Sequence, residues 1–243
     1  MYKMTFDYHT HTTFSHGKGS IEDNVNAGIR KGLREIAITD HGPGHLTYGV
    51  KKSDLSVMRK EVDGLKILYP EIKIYLGIEA NICNRGKGLD IQDDELKYFD
   101  FIIAGYHYGI LHGWCISNWL FNHGIFKTKK YEEKFKKRNT NMTINALKNN
   151  KIKILTHPGD KAPFDIDAIA KVCEEECVWM EISTHHSHLT VDEIEIAARY
   201  KNTKFVISSD AHHPDIVGTF HEGVERAKQA KLDLTRIVNI KEV

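Results

Sequence analysis

The sequence contains no long hydrophobic run, and this absence argues against a membrane protein. No apolar segment approaches the length of about 20 residues that a helix needs to cross a bilayer. The first thirteen residues also lack the apolar core of a signal peptide. We therefore expect a cytoplasmic protein with no membrane partner.

An excess of charge of either sign is also absent. The chain has 34 lysines and arginines against 33 aspartates and glutamates, and its net charge is +1, so no overall field directs it toward nucleic acid. The four cysteines include no CxxC pair, which favours reduced thiols over a disulfide framework. A length of 243 residues is ordinary for one α/β barrel, and we expect a single domain over residues 1–243.

Short apolar, β-branched runs alternate with helical segments along the whole chain. Near-continuous apolar strands such as FIIAG and KFVIS are typical of a parallel sheet that is buried on both faces. The repeated order predicts an α/β fold, either a barrel or a doubly wound sheet. The predicted strands are 4–9, 35–40, 72–79, 101–107, 152–157, 178–184 and 204–210. The predicted helices begin at Ser20 and at Ser53 or Asp54, and then cover 131–149, 165–176, 190–201 and 220–230.

One long irregular insertion, residues 108–128, follows the fourth predicted strand. It is rich in aromatic residues and also contains two histidines. These residues are Tyr108, Trp114, Trp119, Phe121, Phe126, His112 and His123. Such an insertion is either a lid over a site or a small satellite core, and the sequence leaves both alternatives open.

Histidine is present in unusual number, with 15 residues, and many of them follow the ends of predicted strands. In parallel α/β folds the carboxyl ends of the strands meet on one face, so these side chains should lie together. A single histidine of this kind is usually a core or surface residue, but a buried cluster needs a compensating cation. The potential ligands are His9, His11, Asp40, His41, Glu79, His107, His157, Asp210 and His212.

The spacing and chemistry of these residues indicate transition metals. Side chains two positions apart on a strand share a face, so His9 and His11 can hold one ion, and the same geometry relates Asp210 to His212. Imidazole with carboxylate suits Zn, Mn or Fe better than Ca or Mg. The residues alone do not distinguish among these three metals.

The motifs DYHTHT, TDHG, GIEAN and SDAH, together with SHGKGS, GYH and THPG, resemble the signature segments of the PHP (polymerase and histidinol phosphatase) family of phosphoesterases. The resemblance implies a single-domain distorted (β/α)7 barrel with its metal site at the C-terminal ends of the strands. It also implies about three divalent ions. The first would be held by His9, His11, Glu79 and Asp210, the second by Glu79, His107 and His157, and the third by His16, His41 and His212.

The activity that this resemblance implies is hydrolysis of a small phosphate monoester by a metal-bound water, as in histidinol-phosphate phosphatases, with Asp210 and His212 in catalytic positions. Arg85, Lys87 and Lys161 follow strands closely enough to bind the phosphate, and free phosphate or sulfate should fit the same site. Two alternatives remain. One is a nuclease or phosphodiesterase acting on nucleotides or DNA ends, and the other is a non-catalytic metal-stabilised scaffold.

Two further expectations concern residues around the ligands. Asp7 and Asp40 should either accept imidazole N–H groups and so fix histidine tautomers, or have a simple capping or turn role. His185, His186 and His188 follow the sixth strand. They should line the pocket without binding metal directly.

Overall fold

Strands and helices alternate along the chain in the computed structural model, which describes residues 1–125 and 127–243. A short antiparallel pair joins the two ends of the chain, β1 (Tyr2–Met4) and β9 (Ile240–Glu242). The parallel strands between them are β2 (Phe6–Asp7), β3 (Glu35–Ile38), β4 (Lys73–Asn81), β5 (Phe101–Gly105), β6 (Ile152–Leu155), β7 (Trp179–Ser183) and β8 (Phe205–Ser208).

The parallel strands follow one another in chain order, each pairing with the next, from β2 to β8. The first and last strands meet through a parallel bridge between Thr10 and Ala211. Across this seam the His11 N–H donates to the Ala211 carbonyl at 2.8 Å, and the Ala211 N–H donates to the His9 carbonyl at 3.2 Å. The sheet is therefore a nearly closed barrel, which confirms the barrel and rules out the doubly wound alternative.

The helices cover the outside of this barrel. They are α1 (Ile21–Arg30), α2 (Leu55–Leu68), α3 (Cys115–Asn122), α4 (Lys129–Asn149), α5 (Ile166–Glu175), α6 (Val191–Ala198) and α7 (His221–Gln229). Ser20 begins α1 through a capping box with Asp23, as the sequence predicts. One face of α2 is apolar and buried, and it contains Leu55, Met58, Val62 and Leu65. Among the described residues, no helix is long and apolar enough to cross a bilayer.

The barrel interior is layered, and its polar layer lies at one end only. Its apolar middle is formed by small and branched residues from alternate positions of the strands, and an aromatic layer closes the N-terminal end. The middle layer contains Tyr8, Ala37, Ile103, Ile154 and Val206. At the closed end Lys153 Nζ lies 4.7 Å from the ring centroid of Trp179 and 5.2 Å from that of Phe101. The buried histidines of the barrel lie at the opposite, C-terminal end.

The aromatic insertion contains a helix, α3, which the sequence did not predict. Phe121 is buried and packs edge-on against Phe135 of α4, with ring centroids 5.6 Å apart. Asn118 exchanges hydrogen bonds with Asn139 of α4 at 3.0 and 3.1 Å. These contacts form a small satellite core between α3 and α4. Phe126, which belongs to the same predicted insertion, lies outside the described residues.

Candidate metal centre

Glu79, near the end of β4, is the centre of the histidine cluster. Its side chain is fully buried, because the inward positions of neighbouring strands surround it. Its Oε1 and Oε2 atoms both face imidazole nitrogens rather than solvent. Oε1 lies 3.3 Å from His9 Nε2, 3.4 Å from His107 Nε2 and 3.1 Å from His157 Nε2. Oε2 lies 2.9 Å from His41 Nδ1 and 3.6 Å from His11 Nε2.

Asp210 is the second carboxylate of the cluster, and its two oxygens face different histidines. Oδ1 lies 3.4 Å from His9 Nε2 and 3.1 Å from His11 Nε2. Asp210 follows β8 with a φ of 49°, and His157 follows β6 with a φ of 27°. Left-handed backbone is costly for residues other than glycine and is concentrated at functional sites. Here it turns both side chains into the barrel mouth.

Several sets of three side chains place one ligand atom each within 4.8 Å of the others. Within the described residues these sets overlap, because they share Glu79, Asp210 and four of the histidines. They are His9–His11–Asp210, His9–Glu79–His157, His41–Glu79–His107, His11–His41–His212 and His157–His186–Asp210.

Buried atoms of the cluster without hydrogen-bond partners provide a test of whether metal ions fit. His9 Nε2, His11 Nδ1, His41 Nδ1, His212 Nε2 and Glu79 Oε2 are buried and form no hydrogen bond of acceptable geometry. Each unsatisfied buried polar group costs about 1–3 kcal/mol. Imidazole nitrogens and carboxylate oxygens are the donors that divalent transition metals bind. The residues at the barrel mouth therefore fit such ions.

The charge states of Glu79, Asp210 and His107 are those of metal ligands. Burial alone would raise the pKa of Glu79, but the imidazoles of His107, His9 and His41 hold it well below its usual range. The pKa of Asp210 is also held well below its usual range, because His9, His11 and His186 outweigh burial. Burial lowers the pKa of His107 to about 3. The carboxylates are thus ionised and this imidazole is neutral at pH 7.

Outer hydrogen bonds orient the ligand side chains. His9 Nδ1 lies 2.7 Å from Glu181 Oε1, and His107 Nδ1 lies 2.7 Å from Asn81 Oδ1. Glu181 also accepts the backbone N–H of His157 at 2.8 Å. Such contacts fix imidazole tautomers and raise ligand basicity. Sequence reasoning missed Glu181, although one acid within the apolar strand WMEIS was a usable signal.

Of the two roles expected for Asp7 and Asp40, the structure favours the turn role over the imidazole acceptor. Asp7 accepts hydrogen bonds from the Ser209 hydroxyl and from the Gly218 backbone N–H, the latter at 2.9 Å. Asp40 accepts from the Thr12 backbone N–H at 2.7 Å and from nearby hydroxyls. Both carboxylates lie beside turning backbone, so they hold loops in place instead of imidazoles.

His16 lies beside the cluster but outside the sets of converging ligand atoms. It is exposed on the loop after β2, and its ring centroid lies 4.1 Å from that of His212 and 4.9 Å from that of His41. The structure instead brings His11 together with His41 and His212. Assignment of His16 as a ligand of the third ion therefore stays a prediction.

A cleft of about 480 Å³ opens above the cluster. Besides the candidate ligands, it is lined by Lys18, His45, Tyr48, Tyr108, Lys161, His185 and His186. The expected lining by His185 and His186 is confirmed, whereas His188 is not among the lining residues. Lys161 lies where the sequence placed it, with Nζ 2.6 Å from Asp160 Oδ2. Lys18 was missed, although it follows His16 in the motif SHGKGS; its backbone N–H donates to the His212 carbonyl at 2.9 Å.

Arg85 and Lys87, expected to bind phosphate, lie elsewhere. Both are exposed and line a separate pocket, and Lys87 Nζ pairs with Asp93 at 2.7 Å. Gly86 and Gly88 take positive φ values of 54° and 95°, which turns the chain after β4 away from the barrel mouth. Their proximity to a strand end in the sequence was therefore misleading.

Comparison with known families agrees with this geometry. The PHP domain model matches residues 7–185. The chain belongs to the PHP domain family. Its relatives include a "Probable phosphatase" of Shewanella piezotolerans, 28% identical over 98% of this chain and 90% of the relative. A second "Probable phosphatase", from Thermoanaerobacter sp., is 31% identical over 98% of this chain and 91% of the relative. PHP membership makes the protein a metal-dependent phosphoesterase by family.

Two solved structures share the PHP protein's fold. A histidinol phosphate phosphatase from Lactococcus lactis, complexed with zinc, L-histidinol and phosphate, aligns over 94% of both chains with a TM-score of 0.64 and 19% identity. A chain in the structure of archaeal ribonuclease P with mature tRNA aligns over 95% of this chain and 84% of that chain, with a TM-score of 0.56 and 12% identity. At these identities the likeness establishes the barrel alone.

Proposed function

We propose that this protein is a phosphatase that hydrolyses a small phosphate monoester, with residues 1–243 acting as one catalytic domain. The observation that carries the proposal is the convergence of buried, unpaired imidazole nitrogens with Glu79 and Asp210 at the barrel mouth. About three divalent ions, Zn, Mn or Fe, are proposed for this centre. Such ions supply an acidified water as the nucleophile and neutralise the charge on the phosphoryl oxygens.

The proposed ligand sets follow the family pattern and the distances at the site. One ion would be held by His9, His11, Glu79 and Asp210, and a second by Glu79, His107 and His157. The third would be held by His41 and His212, with His16 from the exposed loop and His11 close by. Glu79 would then be shared between the first two ions, because its oxygens lie within 3.6 Å of His9 and His11, proposed for the first ion, and within 3.4 Å of His107 and His157, proposed for the second.

Substrate binding is proposed for the cleft above the ligands. A volume of about 480 Å³ suits a small ester, and Lys18 and Lys161 at its wall can pair with phosphoryl oxygens. Free phosphate or sulfate should compete there. Relatives named as probable phosphatases, and a fold neighbour solved with L-histidinol and phosphate, support a monoester over a polynucleotide.

The test is hydrolysis by metal-loaded protein of p-nitrophenyl phosphate and of a panel of natural monoesters that includes histidinol phosphate. The same preparation is offered bis-p-nitrophenyl phosphate and end-labelled DNA. Turnover of monoesters that is abolished by a chelator and restored by metal is the expected result. Preference for the diester or for DNA would favour the nuclease alternative, and no turnover of any substrate by a metal-loaded protein would favour the scaffold.

A further inference from the structure

His186, in the loop after β7, reaches the metal centre from outside the family's ligand positions. Its Nε2 lies 3.2 Å from Asp210 Oδ2, and its ring centroid lies 4.8 Å from that of His157. The three side chains place ligand atoms within 4.8 Å of one another. The oxygen of Asp210 that faces His186 is not the one that faces His9 and His11.

The other ring nitrogen of His186 has a carboxylate partner of its own. Nδ1 lies 3.3 Å from Asp160 Oδ1, while Asp160 Oδ2 pairs with Lys161 Nζ at 2.6 Å. A histidine that binds metal almost always donates its second N–H to a carboxylate, carbonyl or water. In a metal-bound, neutral His186, Asp160 would hold the proton on Nδ1 and leave Nε2, which faces Asp210, as the ligand atom.

The backbone of the loop is held rigidly enough to keep His186 in place. The Ser183 hydroxyl accepts the backbone N–H groups of His185 and His186 at 3.2 and 3.1 Å. The Arg226 guanidinium of α7 donates to the carbonyls of Ser183 and Leu189 at 2.9 and 3.3 Å, and to that of His186 at 3.3 Å. Ordered support of this kind is what a ligand on a loop requires.

We propose that His186 is an additional ligand of the second ion, which it would hold together with His157 and Asp210, and that Asp160 is its outer carboxylate. The inference rests on the metal centre proposed above. It goes beyond the expectation that His186 lines the pocket without binding metal. Asp210 would then bridge two ions, with Oδ1 toward His9 and His11 and Oδ2 toward His186.

The competing interpretation is that His186 only forms hydrogen bonds with two carboxylates. The distance between His186 Nε2 and Asp210 Oδ2 fits both a hydrogen bond and a shared metal ion. The Nε2 atoms of His9 and His11, which are proposed metal ligands, lie at similar distances of 3.4 and 3.1 Å from Asp210 Oδ1. The difference is direct coordination. A thiolate placed at position 186 and bound to Co²⁺ gives a charge-transfer absorption that a thiolate outside the coordination sphere does not give.

The first measurement is the number of Zn²⁺ ions bound per chain at buffered free Zn²⁺, for wild type, His186→Asn, Asp160→Asn and a control, His188→Asn. His188 lies in the same loop, but its Nδ1 pairs with Glu193 at 3.0 Å and it belongs to none of the converging sets found among the described residues. His186→Asn should bind fewer ions than wild type where wild type is saturated. Asp160→Asn should lower the affinity for the same ion by about 10–100-fold. The control should match wild type.

The second measurement is the absorption spectrum of Co²⁺-loaded His186→Cys beside wild type and His188→Cys. A thiolate-to-Co²⁺ band in His186→Cys alone supports the proposal. Wild-type Zn²⁺ stoichiometry and affinity in His186→Asn would overturn it, as would a full complement of Co²⁺ in His186→Cys with no such band. If wild type itself binds no metal, the proposed function fails. If wild type binds metal and His186→Asn binds it equally well, only the role of His186 fails, so the two failures are distinguishable.

Discussion

Replacing Glu79 by glutamine tests the core of the proposed centre. The change keeps the size of the side chain and one acceptor oxygen but removes a negative charge. Glu79 is fully buried and faces five imidazoles within 3.6 Å, so no solvent replaces the lost charge. Removing one partner from a buried charged group costs about 3–5 kcal/mol. At 1.4 kcal/mol per tenfold change, metal affinity should fall by about 10²–10⁴-fold.

Binding of the first and second ions should weaken together, because Glu79 lies close to His9 and His11, proposed for the first ion, and to His107 and His157, proposed for the second. The ion near His16, His41 and His212 should be affected least, since only His41 of these contacts Glu79. The value of kcat should fall even at saturating substrate, because the metals stabilise charge that develops in the transition state. Excess metal should restore part of the activity.

The assay is metal content and kcat for Glu79→Gln beside Glu181→Gln. Glu181 is equally buried and undergoes the same chemical change, but it contacts the His9 Nδ1 atom and the His157 backbone rather than a proposed metal-binding atom. Its loss should cost only about 10–100-fold in metal affinity. Full stoichiometry and full turnover in Glu79→Gln would refute the shared-ligand role. Equal effects of the two variants would show that Glu79 has no special position.

Three further outcomes are expected. Gently purified protein should contain more than one transition-metal ion per chain by elemental analysis, and full activity without metal would contradict the centre. His157→Ala and Asp210→Asn should each lower phosphatase kcat by orders of magnitude while circular dichroism stays native, since both follow strands without filling the apolar core; unchanged kcat in both would place the site elsewhere. Burial lowers the pKa of His45 to about 4, so the unfolded chain takes up a proton first as pH falls. The free energy of unfolding of chelator-treated protein should therefore fall between about pH 6.5 and pH 4, with a smaller dependence in His45→Gln; identical pH dependence in thermal melts would contradict this assignment.

The barrel and the gathering of histidines could be predicted because they depend on order along the chain. Apolar strands alternate with amphipathic helices, and a parallel barrel brings every strand end to the same mouth. His9 and Asp210 therefore meet although they lie far apart in the sequence. Their roles as ligands remain predictions.

The parts that failed depend on backbone conformation after the strands end. Lys87 and Lys161 both follow a strand closely, but the glycines beside Lys87 turn it away and Lys161 lines the cleft. The contact of His186 with Asp160 could not be predicted from the sequence, because it joins two different loops. The hydrophobic periodicity of strands and helices does not predict contacts between loops. Helix α3 was missed for a similar reason, since its burial is provided by α4 rather than by the barrel.

The seam between β2 and β8 has a consequence for how the chain folds. His11 and Asp210, which flank the Thr10–Ala211 bridge, are 199 positions apart, so the barrel closes only after nearly the whole chain has been ordered. An ion bound by both His11 and Asp210 would act as a cross-link across this seam. A covalent link that closes a loop of about 100 residues lowers the entropy of the unfolded chain, which stabilises the folded protein by about 4.7 kcal/mol. The proposed metal would thus also stabilise the closed barrel. Removal of the metal should increase amide hydrogen exchange first at the residues of the seam.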